Sequence, residues 1–214
     1  GKTDGEIEAA LRAGILAFNV ESEAEAEAIA RVAERRRRRA PICIRVNPDV
    51  DAATHAYIST GRKENKFGIP FDRVRKLMKR LAKHPSLDVA GVHCHIGSQI
   101  LQIDSHLKAL GRMEELIGLL RRDGHTIRIL NFGGGFGIAY QNDQQPMDVA
   151  ALADRMAPTI QRLGVQLILE PGRSISGPAG FLLTRLLYVK PGEAKNFAIV
   201  DGAMNDLLRP SLYS

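Results

Sequence analysis

The chain has 214 residues, of which 44% are hydrophobic and 25% charged, and it carries a formal net charge of +6. This balance is typical of a globular protein and excludes a disordered or fibrous chain, while the length suits one large domain or about one and a half. No apolar run approaches the roughly 20 residues of a membrane-spanning helix, and the first residues do not resemble a signal peptide. We therefore expect no membrane association.

Strand-like and helical patterns alternate from the N-terminus to about residue 170. Helix starts are predicted where Thr3 precedes Glu6 and where Ser22 precedes Glu25, because each pair fits a capping box. Further helices are predicted over residues 71–83, 104–122 and 148–163, and strands over residues 15–20, 42–47, 88–95, 126–132 and 165–170. Strands that alternate with helices, without hairpins, pair in parallel, so the fold class is α/β.

An arginine run, Arg35–Arg39, ends the helix that begins near Ser22. Such a run can bind nucleic acid or another anionic surface. However, cations also suit the negative end of a helix dipole, and no aromatic residue lies among the arginines to stack on bases. We favour a solvated helix end and expect no nucleic-acid partner.

The cysteines of the chain are Cys43 and Cys94, and both lie inside apolar segments that are predicted as strands. So few cysteines do not make a disulfide framework. We therefore expect a reducing, cytoplasmic location.

An open doubly wound sheet and a (β/α)8 barrel both fit the alternation. Several strands end in polar residues, which in a barrel occupy the catalytic positions. These residues are Asn19, Glu21, Asn47, His93, His95, Asn131 and Glu170. No nucleotide-binding fingerprint supports the open sheet. Because five strand–helix units are too few to close a barrel, we predict a partial TIM-type barrel whose N-terminal strands are missing.

After Arg173 the pattern changes. Residues 181–190 and 196–201 are strand-like with only a short turn between them, which predicts a hairpin. We therefore expect residues 1–176 to form the incomplete barrel domain. Residues 177–214 would begin a β-rich C-terminal domain that is also incomplete.

The segment 131–137, NFGGGFG, ends a strand in consecutive glycines, Gly133, Gly134 and Gly135. Glycines allow backbone amides to approach an anion closely and form a nest. A flexible loop is the alternative. Its place at a strand end of a barrel favours a phosphate site.

The segment 93–99, HCHIGSQ, places His93 and His95 on one face of a strand and Cys94 on the other. A metal site would need a third ligand, and no Cys/His cluster supplies one at a familiar spacing, so we expect no metal. Two interpretations stay open. The histidines can be a hydrogen-bonded pair inside the barrel, or one imidazole can stack on a flat cofactor whose phosphate Ser98 binds.

The segment 170–173, EPGR, follows a short apolar strand. Glu170 and Arg173 can form a local ion pair. Alternatively, an ionised glutamate at this position can face the ring nitrogen of pyridoxal 5′-phosphate (PLP) and keep it protonated, while the arginine binds a phosphate or carboxylate. A glycine nest, a stacking histidine and such a carboxylate together fit one ligand, PLP.

Longer motifs carry a family resemblance. The segments HIGSQ, NFGGGFG, EPGR, NPDVDAATHAYISTGRKENKFGI and DGAMNDLLRPSLY resemble those of diaminopimelate decarboxylases, in the alanine-racemase-like (fold type III) group of PLP enzymes. The resemblance runs over the whole chain. Single motifs are shared with ornithine and arginine decarboxylases, whereas THAYISTGRKENKFG and NDLLRPSLY are typical of the diaminopimelate branch.

The resemblance implies a role for each matching position. His95 would stack on the cofactor ring, and Glu170 would face the ring nitrogen. The other cofactor-binding positions are Ser98, Gly133, Gly134, Gly135, Pro171, Gly172 and Arg173, and the substrate carboxylate would be held by Arg173, Arg209 and Tyr213. The segment Lys66–Gly68 matches a short motif near the cofactor, although such a segment can also be a surface turn.

The resemblance also implies residues that the sequence lacks. In the family, a Schiff-base lysine lies on the first barrel strand, and a cysteine, a glutamate and a late tyrosine complete the site across a homodimer; none has a counterpart here. We therefore expect an internal fragment, inactive by itself, of an enzyme that is a homodimer at full length. No catalytic residue is assigned within the chain.

The reaction implied by the resemblance is the PLP-dependent decarboxylation of meso-2,6-diaminopimelate to L-lysine, the last step of lysine biosynthesis. A related decarboxylase for ornithine, arginine or carboxynorspermidine is one alternative, but a cationic substrate would need an acidic residue where Arg209 and Tyr213 lie. A non-catalytic regulatory protein on the same scaffold is the other alternative. The intact cofactor motifs argue against it.

Overall fold

A computed structural model describes residues 1–50, 67–208 and 212 of the chain. The chain divides into two compact units, Gly1–Ile175 and Ser176–Ser214, and each is described by itself. Within the part of the chain that the structure describes, no helix has both the length and the apolar character needed to cross a bilayer.

The first unit alternates helices and strands, as predicted. Its helices are α1 (Asp4–Ala13), α2 (Glu23–Arg35), α3 (Phe71–Leu81), α4 (Ile103–Arg122) and α5 (Val149–Leu163), and a short helix, α6 (Arg173–Ser176), follows the last strand. Its strands are β1 (Phe18–Val20), β2 (Ala40–Asn47), β3 (Ile69–Pro70), β4 (Leu87–His93), β5 (Ile129–Asn131) and β6 (Gln166–Ile168). Most predicted strands are shortened to the residues that pair, and the two-residue β3 was not predicted.

The strands of the first unit form one parallel sheet in the order β1-β2-β4-β5-β6, and β3 pairs with the end of β2. The outer strands are β1 and β6. Nevertheless, the side chain of Asn19 in β1 donates a hydrogen bond of 3.3 Å to the carboxylate of Glu170, just beyond β6. The sheet is therefore strongly curved, and the carboxyl ends of its strands face one another as in a barrel. The α/β class is confirmed.

The start of α1 is capped as predicted. The Thr3 hydroxyl accepts from the Glu6 amide, and the Glu6 carboxylate accepts from the Thr3 amide, so the capping box is complete.

The predicted capping box at the start of α2 is only half correct. Ser22 accepts from the Glu25 amide at 3.2 Å, but the Glu25 carboxylate does not return the bond to Ser22. Instead, it accepts from the Glu21 amide at 2.7 Å and pairs with Lys2 at 3.0 Å. The buried Glu25 of α2 therefore connects its helix to Lys2 near the N-terminus and to Glu21 just after β1.

The arginine run makes specific contacts around the end of α2. Arg35 pairs with Asp4 at 2.7 Å, and Arg36 pairs with Glu8, so both link α2 to α1. Arg39 donates from Nε to the Leu87 carbonyl at 2.9 Å. Three arginines of the run thus have structural partners.

The core lies between the sheet and the apolar stripes of the helices. The largest contribution comes from α4, whose buried face contains Met113, Leu116, Ile117 and Leu120. This face packs in one cluster with strand residues such as Ile42, Ile44 and Val92. Burial of these side chains is the main force that holds the strands in register.

The second unit contains an antiparallel hairpin of β7 (Leu186–Lys190) and β8 (Phe197–Val200). The Asp201 carboxylate closes the open end of the hairpin, since it accepts from the Arg185 amide at 2.8 Å. The predicted hairpin is therefore observed, with shorter strands than the apolar runs suggested.

Gly91 occupies a crowded position between two neighbouring strands of the sheet. It pairs with Cys43 of β2 and Ile129 of β5, next to a register shift between Ile42 and Cys43. Because a side chain there would meet the neighbouring strand, only glycine allows this close approach.

Replacement of Gly91 with alanine should lower the free energy of unfolding by about 1–3 kcal/mol. The reason is that the added Cβ would lie 2.0 Å from the Ile129 carbonyl oxygen. Urea denaturation measures the effect. Gly111→Ala is the matched control: Gly111 is exposed on α4 with nothing within 4 Å of an added Cβ. It should raise stability by about 0.5–1 kcal/mol. Equal effects of both substitutions would contradict the packing described.

Candidate cofactor site

The glycine loop after β5 is packed too tightly for any other residue. Gly133 and Gly135 have left-handed backbones, with φ of 66° and 97°. A Cβ on Gly134 would lie 2.1 Å from the Glu170 carbonyl oxygen, and one on Gly135 would lie 2.3 Å from the Gly97 carbonyl oxygen. The loop therefore packs closely between the turn after β4 and the end of β6.

Two of the three glycine amides are already used inside the protein. The Gly133 amide donates to Asn131 Oδ1 at 3.0 Å, and the Gly134 amide donates to His95 Nδ1 at 3.2 Å. Among the described residues, the Gly135 amide has no acceptor. Of the three amides expected to form a nest, Gly135 is the one that can donate to an external anion.

His95 is half-buried and is held in one tautomer. Because Nδ1 accepts from Gly134, the proton of the neutral ring lies on Nε2. Burial lowers the pKa of His95, and the nearby Arg45 guanidinium lowers it further. The ring is therefore flat, uncharged and oriented, as stacking on an aromatic ligand requires.

The Glu170 carboxylate is fixed by two amide side chains. Its Oε1 accepts from Asn131 at 2.7 Å and from Asn19 at 3.3 Å. Its backbone amide donates to the Gly133 carbonyl at 2.7 Å, which joins the end of β6 to the glycine loop. The residue is exposed, and Oε2 has no partner in the described part of the chain. One carboxylate oxygen is thus available to a ligand.

Arg173 does not pair with Glu170, so the local ion pair considered for the EPGR segment is not formed. Instead, its guanidinium donates to Ser98 Oγ at 2.9 Å and to Gln99 Oε1 at 3.3 Å, and it lies 5.8 Å from the centre of the Tyr140 ring. Within the described ranges, no carboxylate lies in ion-pair contact with it. The positive charge is therefore available to an anion.

Of the remaining predicted positions, two lie in an exposed segment and the others lie outside the described residues. Pro171 and Gly172 form an exposed turn between Glu170 and α6. Arg209, Tyr213 and Lys66 lie outside the described residues, so their predicted roles stay predictions.

Phe67 and Gly68 lie near the end of β2, beside the site. The centre of the Phe67 ring lies 5.0 Å from Arg45 Cζ. The Gly68 amide donates to Glu21 Oε2 at 3.0 Å. Glu21 also forms an ion pair with Arg45. In the part of the chain that is described, no group of acidic, histidine or cysteine side chains is arranged to hold a metal ion.

Sequence reasoning missed the buried His106 on α4. Its Nε2 lies 3.2 Å from the Gly134 carbonyl, and its ring stacks on Phe136 with centroids 5.4 Å apart. His106 therefore packs against the glycine loop from α4. A helical periodicity with a single polar residue on the buried face was the available signal, but it cannot show which loop the residue meets.

His93 differs from the other site histidines because it is buried without hydrogen bonds. Neither ring nitrogen has a partner among the described residues. Burial, and then the Arg45 guanidinium, lower the pKa of His93 to about 3. Of the two interpretations of the histidine pair, a mutual hydrogen bond is therefore not observed.

Residues 1–177 match the family described as "Pyridoxal-dependent decarboxylase, pyridoxal binding domain". This match covers most of the chain, and the chain belongs to that family of PLP-dependent enzymes.

Individual relatives are more specific. Diaminopimelate decarboxylases from Neisseria meningitidis serogroup B and Pseudomonas aeruginosa are 47% and 48% identical to it, over 100% of this chain and 51% of each relative. The crystal structure of diaminopimelate decarboxylase from Helicobacter pylori complexed with L-lysine matches with a TM-score of 0.93 at 41% identity, over 100% of this chain and 53% of that one. The resemblance and the partial-barrel fold are confirmed. The chain spans about half the length of the curated relatives it matches.

The described residues fit PLP, the cofactor of this family. The amide of Gly135, the Ser98 hydroxyl and Arg173 provide donors for a phosphate. The neutral His95 provides a flat ring, and Glu170 Oε2 provides an acceptor for a ring N–H. These groups come from the ends of β4, β5 and β6, which the curved sheet brings together.

His93 makes stability depend on pH. The unfolded state binds a proton near the ordinary pKa of 6.5, whereas the folded state does so only near 3. The stabilisation of the folded state that neutral His93 provides is therefore fully present above about pH 6.5. It is lost as the pH falls toward 3.

We expect His93→Phe to reduce the slope of unfolding free energy against pH by about one proton, or ~1.4 kcal/mol per pH unit, between those limits. Urea denaturation at a series of pH values measures the slope. Gly111→Ala, which removes no titratable group and lies on the exposed face of α4, is the control and should leave the slope unchanged. An unaltered slope in His93→Phe would show that the buried ring is protonated in the folded state.

Proposed function

We propose that this chain is the cofactor-binding part of a PLP-dependent decarboxylase that converts meso-2,6-diaminopimelate to L-lysine. The observation that carries the proposal is the set of ligand-facing groups at the carboxyl ends of the strands. A neutral histidine, a fixed carboxylate and an arginine that pairs with no carboxylate of the described residues lie there together. The names of the relatives, whose identity to this chain reaches 48%, support the choice of substrate.

The contacts of the site residues support a role for each of them in this proposal. When bound, PLP supplies an electron sink for the carbanion that decarboxylation leaves. Glu170, held by Asn19 and Asn131, accepts a hydrogen bond from the ring N–H and keeps the proton there. His95 covers one ring face and excludes water from it. Ser98 and Gly135 orient the phosphate, and Arg173 is a donor for the phosphate or for a substrate carboxylate.

The substrate is recognised through its distal carboxylate. Arg173, Arg209 and Tyr213 match the family positions that bind this group, and no acidic residue lies between Arg209 and Tyr213 in the sequence. Cations and a hydroxyl suit an anionic substrate end, whereas ornithine or arginine would need an acid there. We therefore prefer diaminopimelate to the cationic amino acids.

The proposal includes the organisation of the whole enzyme. We propose residues 1–176 as the PLP-binding barrel part and residues 177–214 as the beginning of a β-rich domain. We also propose that the full-length enzyme is a homodimer. The resemblance to the diaminopimelate branch supports both statements.

The function can be tested with a chimera in which these 214 residues replace the matching segment of the Neisseria meningitidis relative. With PLP, the purified chimera should release CO2 from meso-2,6-diaminopimelate and form L-lysine, and it should not release CO2 from ornithine or arginine. Coupled CO2 detection and amino-acid chromatography measure both. Preferential turnover of ornithine or arginine would favour the related decarboxylase. A folded chimera that binds PLP without turning over any substrate would favour the regulatory alternative.

In the same chimera, Glu170→Gln should lower kcat by roughly 10²–10³, the range for loss of one preorganised electrostatic contact. A neutral amide can still accept from Asn131, but it does not stabilise a protonated ring nitrogen. The dissociation constant of PLP should change much less than kcat. Glu27→Gln, an exposed position on α2, is the matched control with wild-type kcat. If Glu170→Gln retained full kcat, the assigned role of Glu170 would be wrong.

A further inference from the structure

Gln99 has a backbone conformation that is unfavourable for its residue type. Its φ is 58°, in the left-handed region that glycine adopts at little cost. It directly follows Ser98 and lies at the turn between β4 and α4. A strained non-glycine residue next to a ligand-binding group indicates that its side chain has a function that outweighs the strain.

The Gln99 side chain binds the backbone of the loop that follows the glycines. Its Nε2 donates to the Ile138 carbonyl at 2.5 Å, and its Oε1 accepts from the Ile138 amide at 3.2 Å. The side-chain amide thus pairs with Ile138 as a peptide group would in a sheet. It extends a short ladder in which the Ile100 amide donates to the Gly135 carbonyl and the Gly137 amide donates to the Ile100 carbonyl.

The same oxygen also holds Arg173. Oε1 accepts from Arg173 Nη1 at 3.3 Å, while Ser98 Oγ accepts from Nη2 at 2.9 Å. Both acceptors are neutral, so the guanidinium is oriented without loss of its charge. A carboxylate at position 99 would also offer Arg173 an acceptor, but it would neutralise the guanidinium and could not donate to the Ile138 carbonyl.

We propose that Gln99 is a positioning residue that sets both the orientation and the available charge of Arg173, and thereby the affinity of the site for an anion. The anion is a phosphate or a carboxylate, since a guanidinium binds either. This inference rests on the proposed function only for the identity of the ligand. The contacts between Gln99, Ile138 and Arg173 do not depend on it.

The test measures binding by the 214-residue chain with isothermal titration calorimetry, using inorganic phosphate, PLP, pyridoxal and meso-2,6-diaminopimelate as probes. Gln99→Glu should weaken phosphate and PLP at least about tenfold and leave pyridoxal, which has no phosphate, unchanged. If only diaminopimelate is weakened, Arg173 binds the substrate carboxylate, and the inference also holds.

Two further variants separate positioning from a general structural effect. Gln99→Gly keeps the left-handed backbone but removes the amide, so it should weaken the anions less than Gln99→Glu, because the charge of Arg173 is retained. Gln145→Glu adds the same charge at an exposed position and should change no affinity. Urea denaturation verifies that each variant is folded.

The outcomes for Gln99 and for the proposed function are distinguishable. Equal loss of pyridoxal and PLP in Gln99→Glu, or no loss of any anion, would overturn the role of Gln99. So would a parent chain that binds none of the anions. If the parent binds phosphate but not PLP and Gln99→Glu weakens the phosphate, the role of Gln99 stands and the PLP assignment fails.

Discussion

The hydrogen bonds that Asn19 and Asn131 donate to Glu170 are the constraint on which the site depends. They connect β1, β5 and the end of β6 at one carboxylate oxygen, Glu170 Oε1. The donor–acceptor distance is 3.3 Å from Asn19 and 2.7 Å from Asn131. A flat parallel sheet would hold the outer strands far apart. The curvature of the sheet makes the shared contact possible, and the contact in turn fixes the direction of the free carboxylate oxygen.

The glycine loop is the second element that this arrangement requires. Its backbone contacts the turn after β4 on one side and Glu170 on the other, at distances that exclude a Cβ. His106 on α4 contacts it directly, and Gln99 in the turn before α4 binds Ile138, just after the glycines. Because these contacts hold the loop on several sides, the Gly135 amide, which has no acceptor among the described residues, has a fixed direction. Rigid support of this kind preorganises a binding site.

Two arginines near the site have opposite electrostatic environments. Arg45 is largely buried and forms an ion pair with Glu21, and it contributes to the lowered pKa of His93 and His95. Arg173 is held only by neutral oxygen atoms among the described residues. A paired arginine stabilises the architecture, whereas an unpaired one attracts an anion. The difference between them is a property of the tertiary structure, since Arg45 lies within β2 and Arg173 follows β6, and neither place in the sequence reveals the partner.

The sequence by itself determined the alternation of helices and parallel strands, because apolar periodicity reports directly which faces are buried. It also determined which residue types reach the strand ends, including His95, Ser98, the three glycines, Glu170 and Arg173. The tertiary structure decided which hydrogen-bond partners those groups have. Two glycine amides donate to other residues of the protein, and Arg173 donates to Ser98 and not to Glu170. Gln99 and His106 bind loops that are distant from them in sequence. Hydrogen-bond partners depend on distances across the fold, which local patterns do not contain.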